Sequence, residues 1–160
     1  MNTIYALGQD SHKFEEKNGK PLLLGGVLFE HAVGLAANSD GDVVLHALTN
    51  AVSGLTAANV LGIRADEMCR NGITDSSVYL QAALQDLSEK QMHLIHISLS
   101  IECKIPKITP KIEAMREKIG MLCGISPEHV GITATTGEGL TAFGRGEGIA
   151  AICAVTATID

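Results

Sequence analysis

The chain has no tryptophan, and phenylalanine, tyrosine and tryptophan together make up only 3% of it, although 46% of its 160 residues are hydrophobic. A core built without large rings must come from Ile, Val, Leu and Ala, side chains that suit tight layers of helix on sheet or packing between subunits. Positive charge is also scarce. With 12 Lys and Arg against 18 Asp and Glu, the net charge of -6 excludes the clustered basic face that a duplex-binding surface needs. It leaves room for an anionic small molecule held by a few local groups. The four cysteines, Cys69, Cys103, Cys123 and Cys153, form no CxxC pair. They make neither a zinc knuckle nor a disulfide framework, and they fit a reducing compartment. No basic segment followed by a long apolar run opens the chain, and no 18-residue apolar segment occurs. A cytoplasmic protein without a membrane or nucleic-acid partner is the expectation.

A chain of this length is in the range of one domain with a real core, and residues 1–160 read as one. Thr3 to Gln9 and Pro21 to Phe29 are predicted strands, the second broken by the turn signal Gly25-Gly26, with a charged loop from Glu15 to Lys20 between them. Asp42 to Thr56 has helical spacing and begins after Ser39-Asp40, both good N-caps. A second helix is expected from Thr74-Asp75 to Lys90. Leu94 to Cys103 gives the clearest strand signal, with Ile95, Ile97, Leu99, Ile101 and Cys103 alternating with polar residues. Pro110 to Leu122 reads as a third helix, Pro suiting its first turn. Val130 to Thr136 and Gly148 to Thr158 close the chain as strands around a glycine-rich loop. The resulting expectation is an α+β fold, a mixed sheet with helices on one face.

Four stretches carry candidate chemistry. In "GQDSHKF", Asp10 and His12 are two apart at a strand end, so their side chains leave the same face roughly 7 Å apart at the backbone and are able to converge on one ion. Taken alone, the pair reads rather as a surface Asp-His contact, and two ligands do not make a site. In "ANSDGDVVLH" an EF-hand fails, because with Gly41 as its central glycine the first and last ligand positions are Ala36 and Ala47. The acidic residues instead suit a helix start, which places His46 one turn in. A lone His in an apolar run is ordinarily a packed core residue. With Asp10 and His12 it becomes a third ligand, leaving a fourth position open as catalytic zinc requires.

The third stretch is "ATTGEGLTAFGRGEG". Thr135 and Thr136 offer hydroxyls and amides beside Gly137, and Glu138 offers a hard oxygen suited to magnesium with phosphates. Arg145 and Glu147 lie in a second glycine cluster, and an ordinary interstrand loop is the competing reading. The fourth, "KIPKITPKIEAMR", sets Lys104, Lys107 and Lys111 around two prolines ahead of a helix. That is either an anion seat at the helix N-terminus or a solvated basic turn.

In order along the chain, "GQDSHKF", "LLLGGV", "NSDGDVVLHAL", "IPKITPKIEAMR" and "TATTGEGL...GRGEGIA" resemble the 2-C-methyl-D-erythritol 2,4-cyclodiphosphate synthase family, from about Tyr5 to Thr156. The resemblance implies an intramolecular phosphoryl transfer in non-mevalonate isoprenoid biosynthesis. In it the 2-phosphate of 4-diphosphocytidyl-2-C-methyl-D-erythritol 2-phosphate attacks the β-phosphate and expels CMP. It implies zinc on Asp10, His12 and His46, and magnesium or manganese on Glu138. Thr136 would steady the transferring phosphate. Thr135 and Lys107 would contact the cytidine diphosphate end, in a cytosine-side loop that includes Cys103, Ile105, Ile108 and Thr109. Ser11 would lie with Asp10 and His12 along the substrate, and Ser39 would meet a substrate phosphate. A homotrimer with sites between subunits is implied, with Arg145 and Glu147 near the threefold axis.

Departures from the family pattern are local. The usual His-Ser pair before DGD is Asn38-Ser39, so a possible cation beside the phosphate becomes a neutral hydrogen-bond donor at a catalytic position. The familiar D-I-G and F-P-D-T-D loop is replaced by "NVLGIRADEMC", where Asp66 is the one remaining candidate contact to the methylerythritol hydroxyls. A noncatalytic metal-binding homologue that senses isoprenoid diphosphates is the alternative function.

Overall fold

The structure, a computed structural model, describes residues 1–17, 19–30 and 33–159; Asn18, within the expected charged loop, and Asp160 lie outside them. Its frame is a four-stranded sheet. Strand β1 (Asn2–Lys13) and strand β6 (Gly148–Ile159) pair antiparallel along their whole length, from Asn2 opposite Ile159 to Lys13 opposite Gly148. Strand β4 (Met92–Glu102) runs antiparallel to β6 on its other side, and strand β5 (Val130–Thr135) lies parallel to β4. The order is β1-β6-β4-β5, and a separate hairpin joins β2 (Leu22–Leu24) to β3 (Val27–Phe29) through Gly25-Gly26. The expected mixed sheet is therefore present.

Helices α1 (Val43–Thr56), α3 (Ser76–Glu89) and α4 (Ile112–Cys123) cover one face of the sheet. Period-two alternation sends Ile97, Leu99, Ile101, Ala151, Cys153 and Val155 into that layer, where all are buried. Helix α1 answers with Val44, Ala47, Leu48 and Ala51, each fully buried. Its approach to β1 is unusually close. A Cβ on Gly8 would stand 2.2 Å from the Ala51 backbone nitrogen and 2.3 Å from the Ala47 carbonyl oxygen, so only glycine fits there. The opposite sheet face is bare, leaving Tyr5 at 82%, Leu7 at 68% and Ile152 at 51% exposure.

The structure corrects several sequence expectations. The N-cap of α1 is Asp42, which accepts from Leu45 N, rather than Ser39 or Asp40. Its carboxylate also takes the amides of Gly25 (2.9 Å) and Gly26 (2.7 Å), tying the hairpin turn to the start of α1. Ile95 does not join the apolar face. A bulge between Leu94 and His96 shifts the register and leaves it 41% exposed. Pro110 sits in a 3-10 turn, Thr109–Lys111, ahead of α4 rather than inside the helix. Helix α2 (Ile63–Arg70) has no counterpart in the sequence reading, because only Ala65 of its residues is buried and Gly62 at its N-cap supplies no side chain.

Candidate functional site

Two elements deliver the Asp10, His12 and His46 cluster. Strand β1 places Asp10 and His12 two apart on its helix-covered face, and the Gly8 contact lays α1 against that face with His46 one turn in. Asp10 Oδ2 stands 2.9 Å from His12 Nε2 and 3.1 Å from His46 Nδ1, and the two histidine nitrogens are 3.2 Å apart. Two ligands each about 2 Å from a tetrahedral zinc ion are about 3.3 Å from one another. The observed triangle has nearly that edge on all three sides. The donor set, two imidazoles and one carboxylate, is also one that zinc accepts. Burial alone would raise the Asp10 carboxyl, but hydrogen bonds from His12 and His46, and their charge, outweigh it and hold Asp10 below the usual carboxylate range. Asp10 is thus a carboxylate wherever the protein is folded near neutral pH.

The far side of the His46 ring is equally ordered. Its Nε2 lies 2.8 Å from Ser76 Oγ and 3.3 Å from Ser39 Oγ. Ser76 Oγ donates to Asp40 Oδ1, and Asp40 Oδ2 accepts the Ser76 amide at 2.9 Å. With its proton committed to Asp40, the Ser76 oxygen accepts from His46, so Nε2 carries the hydrogen. A hydrogen fixed on Nε2 makes Nδ1, beside Asp10 and His12, the nitrogen through which His46 would bind a metal. Sequence reading missed Ser76 and this role of Asp40. Ser76 lies 30 residues from His46, on another helix, and no spacing rule connects them.

Around the triad the cleft is lined by Asn38, Ser39, Asn50, Asp66, Cys69 and Tyr79, which brings Asn38, Ser39 and Asp66 together with the triad. Cys69 and Tyr79 are additions, their Sγ and Oη 2.8 Å apart. Ser11, between Asp10 and His12, projects from the opposite sheet face into a cavity of about 560 Å³ with Gln9, Ser100 and Glu102. Period-two alternation dictates that separation.

A second cleft, of about 260 Å³, gathers Cys103, Lys107, Ile108, Thr109, Thr135 and Thr136. Ile105 does not line it and is 44% exposed. Burial, then the neighbouring Glu102 charge, pushes the Cys103 thiol up to about 11, so it stays protonated there. At the rim, Thr136 Oγ1 accepts the Glu138 amide, and Glu138 sits in the left-handed region (φ 50) between Gly137 (φ 71) and Gly139 (φ 76). Arg145 Nε donates to Glu147 Oε2 at 2.9 Å, away from both clefts. Within one chain, the triad and the Thr135-Glu138 loop therefore occupy separate clefts.

Comparison with known proteins places this arrangement. The YgbB family model matches residues 4–158. A 2-C-methyl-D-erythritol 2,4-cyclodiphosphate synthase from Chlamydia muridarum is 49% identical over 152 residues, 94% of this chain and 85% of that protein. One from Chlamydia felis is 48% identical, covering 94% and 86%. Among solved structures, a 2C-methyl-D-erythritol-2,4-cyclodiphosphate synthase in a CDP-bound form superposes with a TM-score of 0.84 at 30% identity, over 97% of this chain and all of that one. The bifunctional IspDF from Campylobacter jejuni superposes with a TM-score of 0.89 at 31% identity; this chain is matched over 99% of its length and spans 43% of that protein. The chain belongs to the YgbB family, the family of the 2-C-methyl-D-erythritol 2,4-cyclodiphosphate synthases.

Proposed function

We propose that the protein is a 2-C-methyl-D-erythritol 2,4-cyclodiphosphate synthase, a phosphorus-oxygen lyase working as a cytoplasmic homotrimer. It converts 4-diphosphocytidyl-2-C-methyl-D-erythritol 2-phosphate to the cyclic diphosphate and CMP. The observation that carries the reading is the Asp10, His12 and His46 triangle at tetrahedral spacing in a chain 49% identical to a relative of that name. Asp10 Oδ2, His12 Nε2 and His46 Nδ1 are the atoms that would hold zinc, and Glu138 would hold magnesium or manganese. When bound, the two ions supply positive charge to the phosphate oxygens.

The rest is positioning, which is most of what phosphoryl transfer asks of a protein. Asn38 and Ser39 hold the attacking phosphate beside the triad, and Asp66 takes the polyol hydroxyls. The cleft of Cys103, Lys107, Ile108 and Thr109, with Ile105 at its edge, receives the cytidine end. Thr135 and Thr136 orient the diphosphate. A phosphate dianion is already nucleophilic near neutral pH, so no side chain needs to remove a proton. Because the two clefts are separate within one chain, a complete site is assembled between neighbouring subunits. Their contact runs over the bare sheet face, where Ser11 lies and Arg145 and Glu147 gather near the threefold axis.

Release of CMP from the diphosphocytidyl 2-phosphate substrate tests the reading. Zinc- and magnesium-loaded protein is expected to release CMP, and chelator or His46→Ala to abolish the release. Loaded protein that leaves the substrate intact, beside an active synthase under the same conditions, would overturn it.

A further inference from the structure

The triad cleft does not end at the metal residues. Asn38, Asp66 and Cys69 line both it and an adjoining cleft of about 400 Å³ whose remaining lining residue is Arg70. Arg70 is the only lysine or arginine lining either space. Among the described residues it is also the only uncommitted arginine. Arg64 reaches Asp86 at 2.6 Å, Arg116 bonds Glu113 and the Val130 carbonyl, and Arg145 bonds Glu147. The Arg70 guanidinium has no hydrogen-bond or ion-pair partner among the described residues. Asp66 is four residues away on the same helix, where pairing is easy, yet the two do not pair.

We infer that Arg70 and Asn38 together form a subsite for a phosphate monoester, the attacking phosphate of the substrate; the inference rests on the function proposed above. A phosphate dianion brought beside the triad and Asp66 is held more tightly by a cation of the protein's own next to the zinc. Asn38 donates a hydrogen bond but carries no charge, and none of the other residues lining the triad cleft is Lys or Arg. A guanidinium is permanently charged, and its planar fork matches two phosphate oxygens. Asp66, left unpaired beside it, repels the phosphate and accepts hydroxyls, which sorts the two ends of the polyol.

The test uses zinc-loaded protein and methylene-bridged analogues of the diphosphocytidyl polyol, with and without the 2-phosphate, which bind but cannot release CMP. Calorimetry on Arg70→Gln is expected to show binding of the phosphorylated analogue weakened about 10- to 100-fold, and binding of the unphosphorylated one unchanged. Arg70→Lys should fall between, and adding Asn38→His to Arg70→Gln should restore part of the loss. Equal weakening of both analogues, or of neither, overturns the subsite. So does wild-type protein that binds the two analogues alike. Were Arg70 present only to complement the α2 C-terminus, melting temperature would drop and the ratio of the two affinities would hold. Wild-type protein that shows the affinity difference but never releases CMP from true substrate would instead count against the proposed activity alone.

Discussion

At the scale of single residues, the donor geometry of His46 is made by what stands behind it. Asp10 and His12 are oriented by their own strand, whereas His46 depends on Ser76, which is fixed in turn by Asp40. Replacing Ser76 by Ala removes the acceptor for the Nε2 hydrogen and frees the ring to change tautomer. Zinc affinity, measured by competition with a chromophoric chelator, should fall about 10- to 100-fold, as it does when such supporting partners are lost. Ser76→Thr, which keeps the hydroxyl, should retain most of it. Affinity unchanged in Ser76→Ala would mean that Ser39, at 3.3 Å, suffices. The convergence of these three side chains was legible in the sequence because each obeys a local rule: period two for Asp10 and His12, and a cap followed by one helical turn for His46. Ser76 and Arg70 obey none, since each acts through space on a segment far away in sequence. The same holds for Asp42. Its cap role was readable as a first-turn acid, but its bonds to Gly25 and Gly26 were not. Burial pushes its carboxyl up to about 6 against those amides.

At the scale of elements, the contact between β1 and α1 sets the site. The Gly8 gap admits no Cβ without moving the Ala47-Ala51 backbone, so Gly8→Ala must lift α1 away from the strand. Overpacking of this kind costs about 1–3 kcal/mol or more, and it also separates His46 from Asp10 and His12. Denaturant unfolding should show the lost stability, and zinc affinity should fall with it. A variant that loses stability while binding zinc as before would mean the strain is absorbed elsewhere. Among the described residues, nine of the ten strands and α-helices were readable from apolar runs, alternation, helical spacing and caps, β2 and β3 as one stretch broken at Gly25-Gly26 and α4 with its start set two residues early. Helix α2 was not, because it buries only Ala65 and so carries no apolar stripe. The bulge at Ile95 was likewise hidden, since in the sequence the alternation runs through it unbroken.

At the scale of the whole molecule, the sheet is finished on one side only. Tyr5, Leu7 and Ile152 stand on the bare face, and the proposed homotrimer would bury them. Leu7→Lys sets a charge on that face without touching the core, so the monomer should fold. Light scattering is expected to give a trimer mass for wild type and a monomer mass for the variant, with CMP release lost because the two clefts no longer meet. A wild-type monomer would remove the shared site from the proposal. The open face follows from the expected sheet with helices on one face, and low aromatic content with apolar strands fits subunit packing but names no partner. Strand β1 serves both sides of this boundary, with Asp10 and His12 toward the helices and Tyr5, Leu7 and Ser11 away from them. Insertion or deletion of a single residue between Leu7 and Asp10 would therefore set Asp10 and His12 on the same side of the sheet as Tyr5 and Leu7, so that the triad and the apolar face could no longer both form. The strand tolerates changes of residue far better than changes of length, so alignments of its relatives should carry substitutions there but no gaps.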